Sequence, residues 1–196
     1  KEVPEDFLVG RPHLHAIRHL RDQDKIATGG PITLAFYSNV FYMDEDTKEV
    51  VYNYIKDGFR PKQHYIDIAE EVIWELIANY GNEFNSVHIR RGDRLGGGQP
   101  DIPCQYIIDK FRQSFHPDEL LLIHSDEQDR SWFQPLLDSE YKKIAFCEDY
   151  LKDYELDGAE SGLVSMIIAS ISKDFIGKIC STFTSYINRM RMYAGS

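Results

Sequence analysis

The sequence predicts an α/β fold: a Rossmann-like, doubly wound parallel sheet with helices on both of its faces. After Gly81, short apolar strands alternate with helical segments at the lengths typical of βαβ units. Because the crossovers between parallel strands are right-handed, few other arrangements of such a series are possible. The chain has 196 residues, 42% of them hydrophobic and 28% charged, a composition that indicates a globular protein with one main core.

The first well-defined element is a helix over residues 61–80. Pro61 suits its first turn, and Gly81 suits its end. The apolar residues recur three and four positions apart, on one helical face: Tyr65, Ile66, Ala69, Val72, Ile73, Leu76, Ile77 and Tyr80. Before this helix, the pattern predicts only an amphipathic stretch at residues 13–20, a turn at 29–31 and a strand at 32–37.

The remaining elements follow as one regular series. We predict strands over residues 86–91, 120–124, 143–146 and 174–177, and helices over residues 103–115, 129–137, 159–171 and 183–193. Ligands bind such sheets at the carboxyl ends of the strands. The residues that follow each strand are therefore the candidate site.

Charge and cysteine content exclude several functions. The formal net charge is -10, which repels nucleic acid and anionic membranes, and no basic cluster offsets it. No apolar run approaches the roughly 18 residues of a membrane helix, so we expect a soluble segment without membrane contact. Cys104, Cys147 and Cys180 contain no CxxC pair, which argues against a zinc site. We expect small buried thiols, with one disulfide left open.

The first chemical segment is Val87-His88-Ile89-Arg90-Arg91-Gly92-Asp93. Side chains alternate along a strand, so His88 and Arg90 share one face, and Arg90 points towards the ligand crevice. A guanidinium grips phosphate oxygens through its planar fork. Two alternatives stay open: Arg90 or Arg91 forms a structural ion pair with Asp93, or His88 is only a packed histidine at the end of the strand.

The second segment ends the apolar strand Leu120-Leu121-Leu122-Ile123 with His124-Ser125-Asp126-Glu127. Asp126 either accepts a hydrogen bond from a ligand or caps the following helix, and capping alone is favoured.

The third segment passes from a strand through Ser181, Thr182, Phe183 and Thr184 into a helix that carries Arg189 and Arg191. Free amides and the positive end of the dipole make a helix start suitable for a diphosphate. Ser181 or Thr182 is equally suited to a plain N-cap, and Phe183 either stacks on a base or fills the core.

Together, VHIRRGD, LLLIHSDE and FIGKICSTFTSYINRMR resemble three characteristic regions of the GDP-fucose-dependent fucosyltransferases, which include the protein O-fucosyltransferases and the α1,6-fucosyltransferases. The resemblance covers residues 85–193. It implies a GT-B enzyme, with two facing Rossmann-type domains and the donor in the C-terminal one. On this basis, residues 81–196 are expected to be the nucleotide-sugar-binding domain. Residues 1–80 would be a mixed segment and helix, a remnant of or a linker to an acceptor domain.

The resemblance also implies an activity: inverting transfer of a sugar from a GDP-sugar to a hydroxyl of a protein or glycan, without a bound metal or other cofactor. Arg90, the expected catalytic residue, would contact the diphosphate with help from His88, while Thr182 and Phe183 would line the nucleotide pocket. The expected donor-binding residues are His88, Arg90, Asp126, Ser181, Thr182, Phe183 and Thr184. Relatives mostly work in the lumen of the secretory pathway, which suggests that compartment.

The same type of fold also supports other functions. A noncatalytic nucleotide-sugar or glycan-binding module of a larger assembly is the alternative hypothesis. A P-loop kinase or a dehydrogenase is poorly supported, because neither GxxxxGK[ST] nor GxGxxG occurs. The run Gly96-Gly97-Gly98 belongs to a flexible loop over residues 92–103 that lacks the lysine such motifs require.

Overall fold

The computed structural model describes residues 61–81, 83–92, 101–178 and 181–194. By its contacts the chain divides into two units, Lys1–Arg60 and Pro61–Ser196, and all described residues belong to the second. The stretch, turn and strand expected before residue 61 lie outside the described residues, as does Asp93. The division of the chain at residue 80 into an N-terminal segment and a donor domain stays a prediction.

Helices and strands alternate along the described unit. In chain order the elements are α1 (Gln63–Tyr80), β1 (Phe84–Ile89), α2 (Cys104–Phe111), β2 (Leu120–Ser125), a 3₁₀ helix (Arg130–Phe133), α3 (Gln134–Leu137), β3 (Lys143–Phe146), α4 (Cys147–Leu151), α5 (Gly158–Ser170), β4 (Phe175–Gly177) and α6 (Thr182–Ala194).

The four strands form one sheet in the order β3-β2-β1-β4, and all neighbours are parallel. The predicted α/β fold, compatible with a Rossmann-like doubly wound sheet, is confirmed. In register, His88 of β1 lies beside His124 of β2 and beside Gly177 of β4. The chain winds outwards from β1 to β3 and then crosses back to β4, so the direction of winding reverses between β1 and β4.

Alternation along the strands sends side chains into two separate cores. On one face, Phe84, Leu120 and Leu122 pack with α1, α4 and α5. On the other, Val87, Ile89 and Phe146 pack with α2, the 3₁₀ helix and α3. Because both faces are covered, the central strands are buried on both sides.

Helix α1 follows the predicted pattern closely. Tyr65, Ala69, Val72 and Leu76 are its buried residues, at the spacing of one helical face. Gly81 ends the helix with φ of 115°, and its amide donates to the Ile77 carbonyl at 2.9 Å. Such a left-handed conformation favours glycine, which explains why the helix ends there.

The boundaries of several elements differ from the prediction. β1 spans Phe84–Ile89 instead of residues 86–91, so both arginines lie beyond the strand. α2 ends at Phe111 instead of residue 115, because the amides of Gln113 and Ser114 donate to carbonyls only three residues back, in a turn. The short helix α4 was missed: it follows β3 without an intervening turn, and five residues are too few to show a helical period.

Three further expectations concern membranes, thiols and metals. No described helix is both long enough and apolar enough to cross a bilayer. Cys104 and Cys147 are free and buried, as expected, whereas Cys180 is outside the described residues. Within the described ranges, no cluster of three or more histidine, cysteine or acidic residues could hold a metal ion.

Candidate functional site

The first and third segments meet at the carboxyl end of β1. His88 Nδ1 lies 2.9 Å from Thr184 Oγ1, although the two residues are 96 positions apart. The Phe183 ring lies against the imidazole, with ring centroids 4.4 Å apart. The strand tip and the start of α6 therefore form one unit, as their positions in the sequence predicted.

His88 is uncharged at neutral pH. Burial lowers the pKa of this imidazole from 6.5 to about 4. Nearby Asp126 raises the pKa and nearby Arg90 lowers it, so both charged groups lie near the ring. Since the ring is neutral, His88 can hold one donor and one acceptor nitrogen, and Thr184 engages one of them.

Gly177 permits the close approach of β4 to α6. A Cβ at this position would lie 2.5 Å from Thr184 Oγ1 and 2.6 Å from Thr184 Cγ2. Any side chain would therefore displace Thr184 from His88. This glycine is needed for space, a requirement that sequence reasoning missed because a strand-ending glycine has many possible causes.

Ser181 and Thr182 differ in their surroundings. Ser181 immediately precedes α6 and is buried, and its hydroxyl has no hydrogen-bond partner among the described residues. The side chain therefore does not act as a plain N-cap, whereas the Ser181 carbonyl accepts from the Ser185 amide at 3.0 Å. Thr182, the first residue of α6, is exposed.

Asp126 joins the second segment to the first. Its Oδ1 accepts hydrogen bonds from the amides of Arg91 and Gly92, at 2.7 and 3.0 Å. The favoured prediction that Asp126 caps the next helix is wrong: Asp129 does so by accepting from the Ser131 amide at 2.9 Å. Asp126 is the first residue after β2 and Asp129 the fourth, and the sequence does not show which of the two aspartates faces the helix start.

The two adjacent arginines follow β1 directly. Arg91 forms an ion pair with Asp101 through two bonds of 2.9 and 3.0 Å, and a second ion pair with Glu127. It also lies over the Trp132 ring, 5.0 Å from the centroid. Arg91 therefore has structural ion pairs, with Asp101 and Glu127, whereas Asp93 lies outside the described residues. Both Arg90 and Arg91 line a cavity between α2 and the β1–β4 pair.

Two cavities open on either side of the carboxyl edge, and His88 lines both. The α5-side cavity has a volume of about 580 Å³, and its lining includes Ser125, Asp126, Glu148, Ser161, Ser165 and Phe183. The α2-side cavity has a volume of about 400 Å³ and lies between α2 and the β1–β4 pair. The site therefore offers a polar, acidic cavity and a separate, largely apolar one.

A buried polar network supports the strands below the site. His124 Nδ1 lies 2.6 Å from Ser165 Oγ, and His124 Nε2 lies 3.2 Å from Ser86 Oγ. Burial lowers the pKa of His124 to about 3. Burial also raises the pKa of Glu148, whose carboxylate accepts from the Ser125 amide at 2.9 Å. A histidine at the end of an apolar run was the one sequence signal of this network.

Arg191 lies outside the site. Its guanidinium donates to the carbonyls of Ser172 and Lys173, at 2.5 and 2.9 Å, and so ties α6 to the end of α5. The basic residues on the helix of the third segment therefore include at least one with a structural role.

Comparison with known proteins finds no family model and no curated relative that matches this chain.

Proposed function

We propose that this protein binds a GDP-sugar and transfers its sugar to a hydroxyl of a protein or glycan, in the manner of the fucosyltransferases that its three segments resemble. The supporting frame is a parallel sheet whose winding reverses between β1 and β4. Sheets of this type bind ligands in the crevice at that point. The secretory lumen, inferred from the same resemblance, stays a prediction.

One observation carries the proposal: all three segments are joined at a single edge. Thr184 contacts His88 at 2.9 Å, and Asp126 binds the amides of Arg91 and Gly92. The carboxyl ends of parallel strands meet at one edge in any such sheet, so the support comes from the polar side chains that contact one another there. Convergence of polar groups on one crevice is the usual property of a ligand site.

The diphosphate would lie between Arg90 and the start of α6. The first amides of a helix have no partner within it and sit at the positive end of its dipole. Next to them, the buried Ser181 hydroxyl has no described hydrogen-bond partner, which suits a phosphate oxygen as acceptor. Thr182, exposed at the first position of α6, would contribute its amide and hydroxyl.

The nucleoside would occupy the α5-side cavity. Its volume of about 580 Å³ lies within the range of roughly 300 to 1,000 Å³ that is typical of small-molecule sites. The Phe183 ring would pack against the nucleoside. Asp126 and Glu148 bring acidic oxygens to the same cavity, and such acceptors favour a base that carries N–H donors, as guanine does.

The reaction is a displacement at the anomeric carbon. The acceptor hydroxyl oxygen forms its bond to that carbon from the face opposite the diphosphate and gives up its proton to a base or to solvent. The electron pair of the breaking carbon–oxygen bond passes to the leaving GDP. Negative charge therefore grows on the phosphate as the bond lengthens. Arg90 and the amides of α6 would stabilise this charge more strongly in the transition state, which is the requirement for catalysis.

The test is a donor screen by calorimetry and thermal shift, with GDP, GDP-sugars and UDP-sugars. A ligand that binds only the folded state raises its melting temperature. We expect GDP to bind the wild type and Arg112→Ala equally, because Arg112 pairs with Glu140 on an exposed surface. Arg90→Ala should bind GDP at least about tenfold more weakly. Equal GDP binding by all three proteins would remove the role given to Arg90.

A transfer assay separates the enzyme from the noncatalytic alternative. GDP binding together with sugar transfer to an acceptor panel supports the transferase. GDP binding without transfer to any acceptor of the panel supports a nucleotide-sugar-binding module instead. No stabilisation by millimolar GDP contradicts both the transferase and the nucleotide-sugar-binding module.

A further inference from the structure

We propose that Glu148 determines the base specificity of the donor site, and that it selects a purine with two neighbouring N–H donors, the pattern of guanine. Glu148 takes this role only with a nucleoside in the α5-side cavity, so the role rests on the proposed function. The residue lines that cavity from the first turn of α4, directly after β3. None of the three segments that resemble the fucosyltransferases includes it.

The α5-side cavity crosses the tips of three strands. His88 and Phe183 line it at β1 and at the start of α6. Ser125 lines it at the end of β2, and Glu148 just after β3. Adjacent strands are about 4.8 Å apart, so the tips of β1 and β3 are separated by roughly 10 Å. A purine nucleoside with its diphosphate at β1 therefore brings the edge of its base to Glu148, whereas the smaller ring of a pyrimidine ends short of it.

The Glu148 carboxylate is held in place and keeps acceptor capacity. It accepts from the Ser125 amide at 2.9 Å. An ionised carboxylate has about four acceptor sites, so sites remain for a ligand. Burial raises the pKa of Glu148, because the charged form loses contact with water. Two N–H donors of a bound base would stabilise this charge.

The charged neighbours of Glu148 largely compensate each other. Arg130 lowers the pKa of Glu148 and Asp149 raises it, and these two residues form an ion pair of 2.9 Å. Lys152 brings a positive charge to the described lining, but it is exposed at the end of α4. The balance of burial and neighbours is a raised pKa. A ligand that donates hydrogen bonds is therefore favoured at Glu148 over one that presents lone pairs.

Asp126, which lines the same cavity, is engaged with the backbone. Its Oδ1 accepts from the amides of both Arg91 and Gly92, at 2.7 and 3.0 Å. This carboxylate therefore holds the tip of β1, at the phosphate end of the cavity. Glu148 makes one such bond and lies at the other end, where the base edge would be.

An ionised carboxylate distinguishes the bases by their donors. Guanine presents its N1–H and its N2 amino group side by side, and two carboxylate oxygens can accept from both. Adenine and cytosine place a ring nitrogen acceptor beside their amino group, and uracil places a carbonyl on each side of its N–H. Each of these three bases turns a lone pair towards the carboxylate. Selection therefore uses attraction for one base and repulsion of the others.

The experiment is a set of calorimetric titrations of the full chain at pH 8 with GDP, inosine diphosphate, ADP and UDP. Inosine diphosphate is GDP without the N2 amino group, so it lacks one of the two donors. Glu148→Gln keeps an oxygen that can accept from the Ser125 amide, but it replaces the second oxygen with a donor. Glu155→Gln is the matched control, because Glu155 is exposed and does not line the cavity. A cooperative thermal transition verifies that each variant is folded.

We expect the wild type and Glu155→Gln to bind GDP about tenfold more tightly than inosine diphosphate, because a hydrogen bond to a charged group is lost with the amino group. In Glu148→Gln the GDP affinity should fall about tenfold or more, and the preference for GDP over inosine diphosphate should nearly disappear. The UDP affinity should stay unchanged. A purely structural effect of the substitution would instead weaken all four nucleotides together and leave their ratios unchanged, which would overturn the role of Glu148.

The outcomes keep the role of Glu148 separate from the proposed function. If GDP binds the wild type and Glu148→Gln equally well, Glu148 does not read the base, and the donor site stands without it. A wild type that prefers ADP or UDP to GDP also overturns the role. If none of the four nucleotides binds the wild type, the proposed function fails, and the role of Glu148 fails with it.

Discussion

Replacing Gly177 with alanine tests whether β4 and α6 meet as closely as described. The new Cβ would lie 2.5 Å from Thr184 Oγ1, 2.6 Å from Thr184 Cγ2 and 2.8 Å from the Phe175 ring. The first of these is about 0.9 Å short of ordinary van der Waals contact, so the neighbours must move. Thr184 is β-branched on a helix, and rotating it would take its hydroxyl away from His88.

The expected loss of stability has two parts. Overpacking a tight site costs about 1 to 3 kcal/mol. Breaking the buried bond between Thr184 and His88 adds about 1 kcal/mol. Gly177→Ala should therefore lower the free energy of unfolding by about 2 to 4 kcal/mol, which for a chain of this length lowers the melting temperature by about 5 to 15 °C.

Urea denaturation of Gly177→Ala, Gly162→Ala, Thr184→Ala and the Gly177→Ala/Thr184→Ala double variant measures these effects. Gly162→Ala is the matched control: it lies within α5, and a Cβ there meets nothing within 4 Å. This control should gain about 0.5 to 1 kcal/mol, because alanine favours a helix over glycine. In a Thr184→Ala background the cost of Gly177→Ala should fall by about 1 kcal/mol or more. If Gly177→Ala is as stable as Gly162→Ala, the described contact is wrong.

Three further predictions follow from the buried groups. His88 and His124, with folded pKa values of about 4 and about 3, stay neutral where the unfolded chain is protonated, so stability should fall as pH drops below about 6.5. The free energy of unfolding should change by up to about 1.4 kcal/mol per pH unit for each histidine, and by less in His124→Gln. Urea denaturation at several pH values measures this dependence, and an equal dependence in His124→Gln and the wild type contradicts the prediction. Asp126→Ala should weaken GDP binding about tenfold, because the amides of Arg91 and Gly92 lose their acceptor at the tip of β1. The capping variant Asp129→Ala should lose about 1 kcal/mol of stability and keep its GDP affinity. Equal GDP affinities of the two variants, measured by calorimetry, would contradict this prediction. Cys147 is fully buried, and burial raises the pKa of its thiol. This thiol should therefore resist alkylation until the protein unfolds, which peptide mass spectrometry can measure. Rapid labelling of Cys147 in the native state would contradict the described burial.

The sequence was sufficient for the parts of the fold that have a strong periodic signal. Two such signals are the apolar spacing from Tyr65 to Leu76 and the alternation of strands and helices after Gly81. Each depends on burying one face of a single segment, so it can be recognised within that segment alone. The parallel order then follows from the crossover rule. For the same reason, the meeting of the three segments at one strand edge could be expected from where each strand ends.

Pairwise contacts within the site were not accessible in this way. Which aspartate caps the 3₁₀ helix, which acids pair with Arg91 and why Gly177 must lack a side chain all depend on distances between segments. The placement of His124 between Ser86 and Ser165 is of the same kind. A single sequence gives the identity of each residue, but it does not give the distances between side chains that decide which residues become partners.

The pairing of β1 with β4 has a consequence for how the chain folds. Ser86 lies beside Phe175, so the centre of the sheet cannot close until a long intervening stretch has been synthesised and folded. Contacts between residues this far apart in sequence slow folding, because the chain loses the entropy of closing a long loop before the contacts stabilise it. The hydrogen bond between His88 and Thr184 should form among the last steps of folding. Under the proposed function, a chain would therefore bind its ligand only when folding is almost complete. A nascent chain halted after α5 would have most of its hydrophobic core but no site.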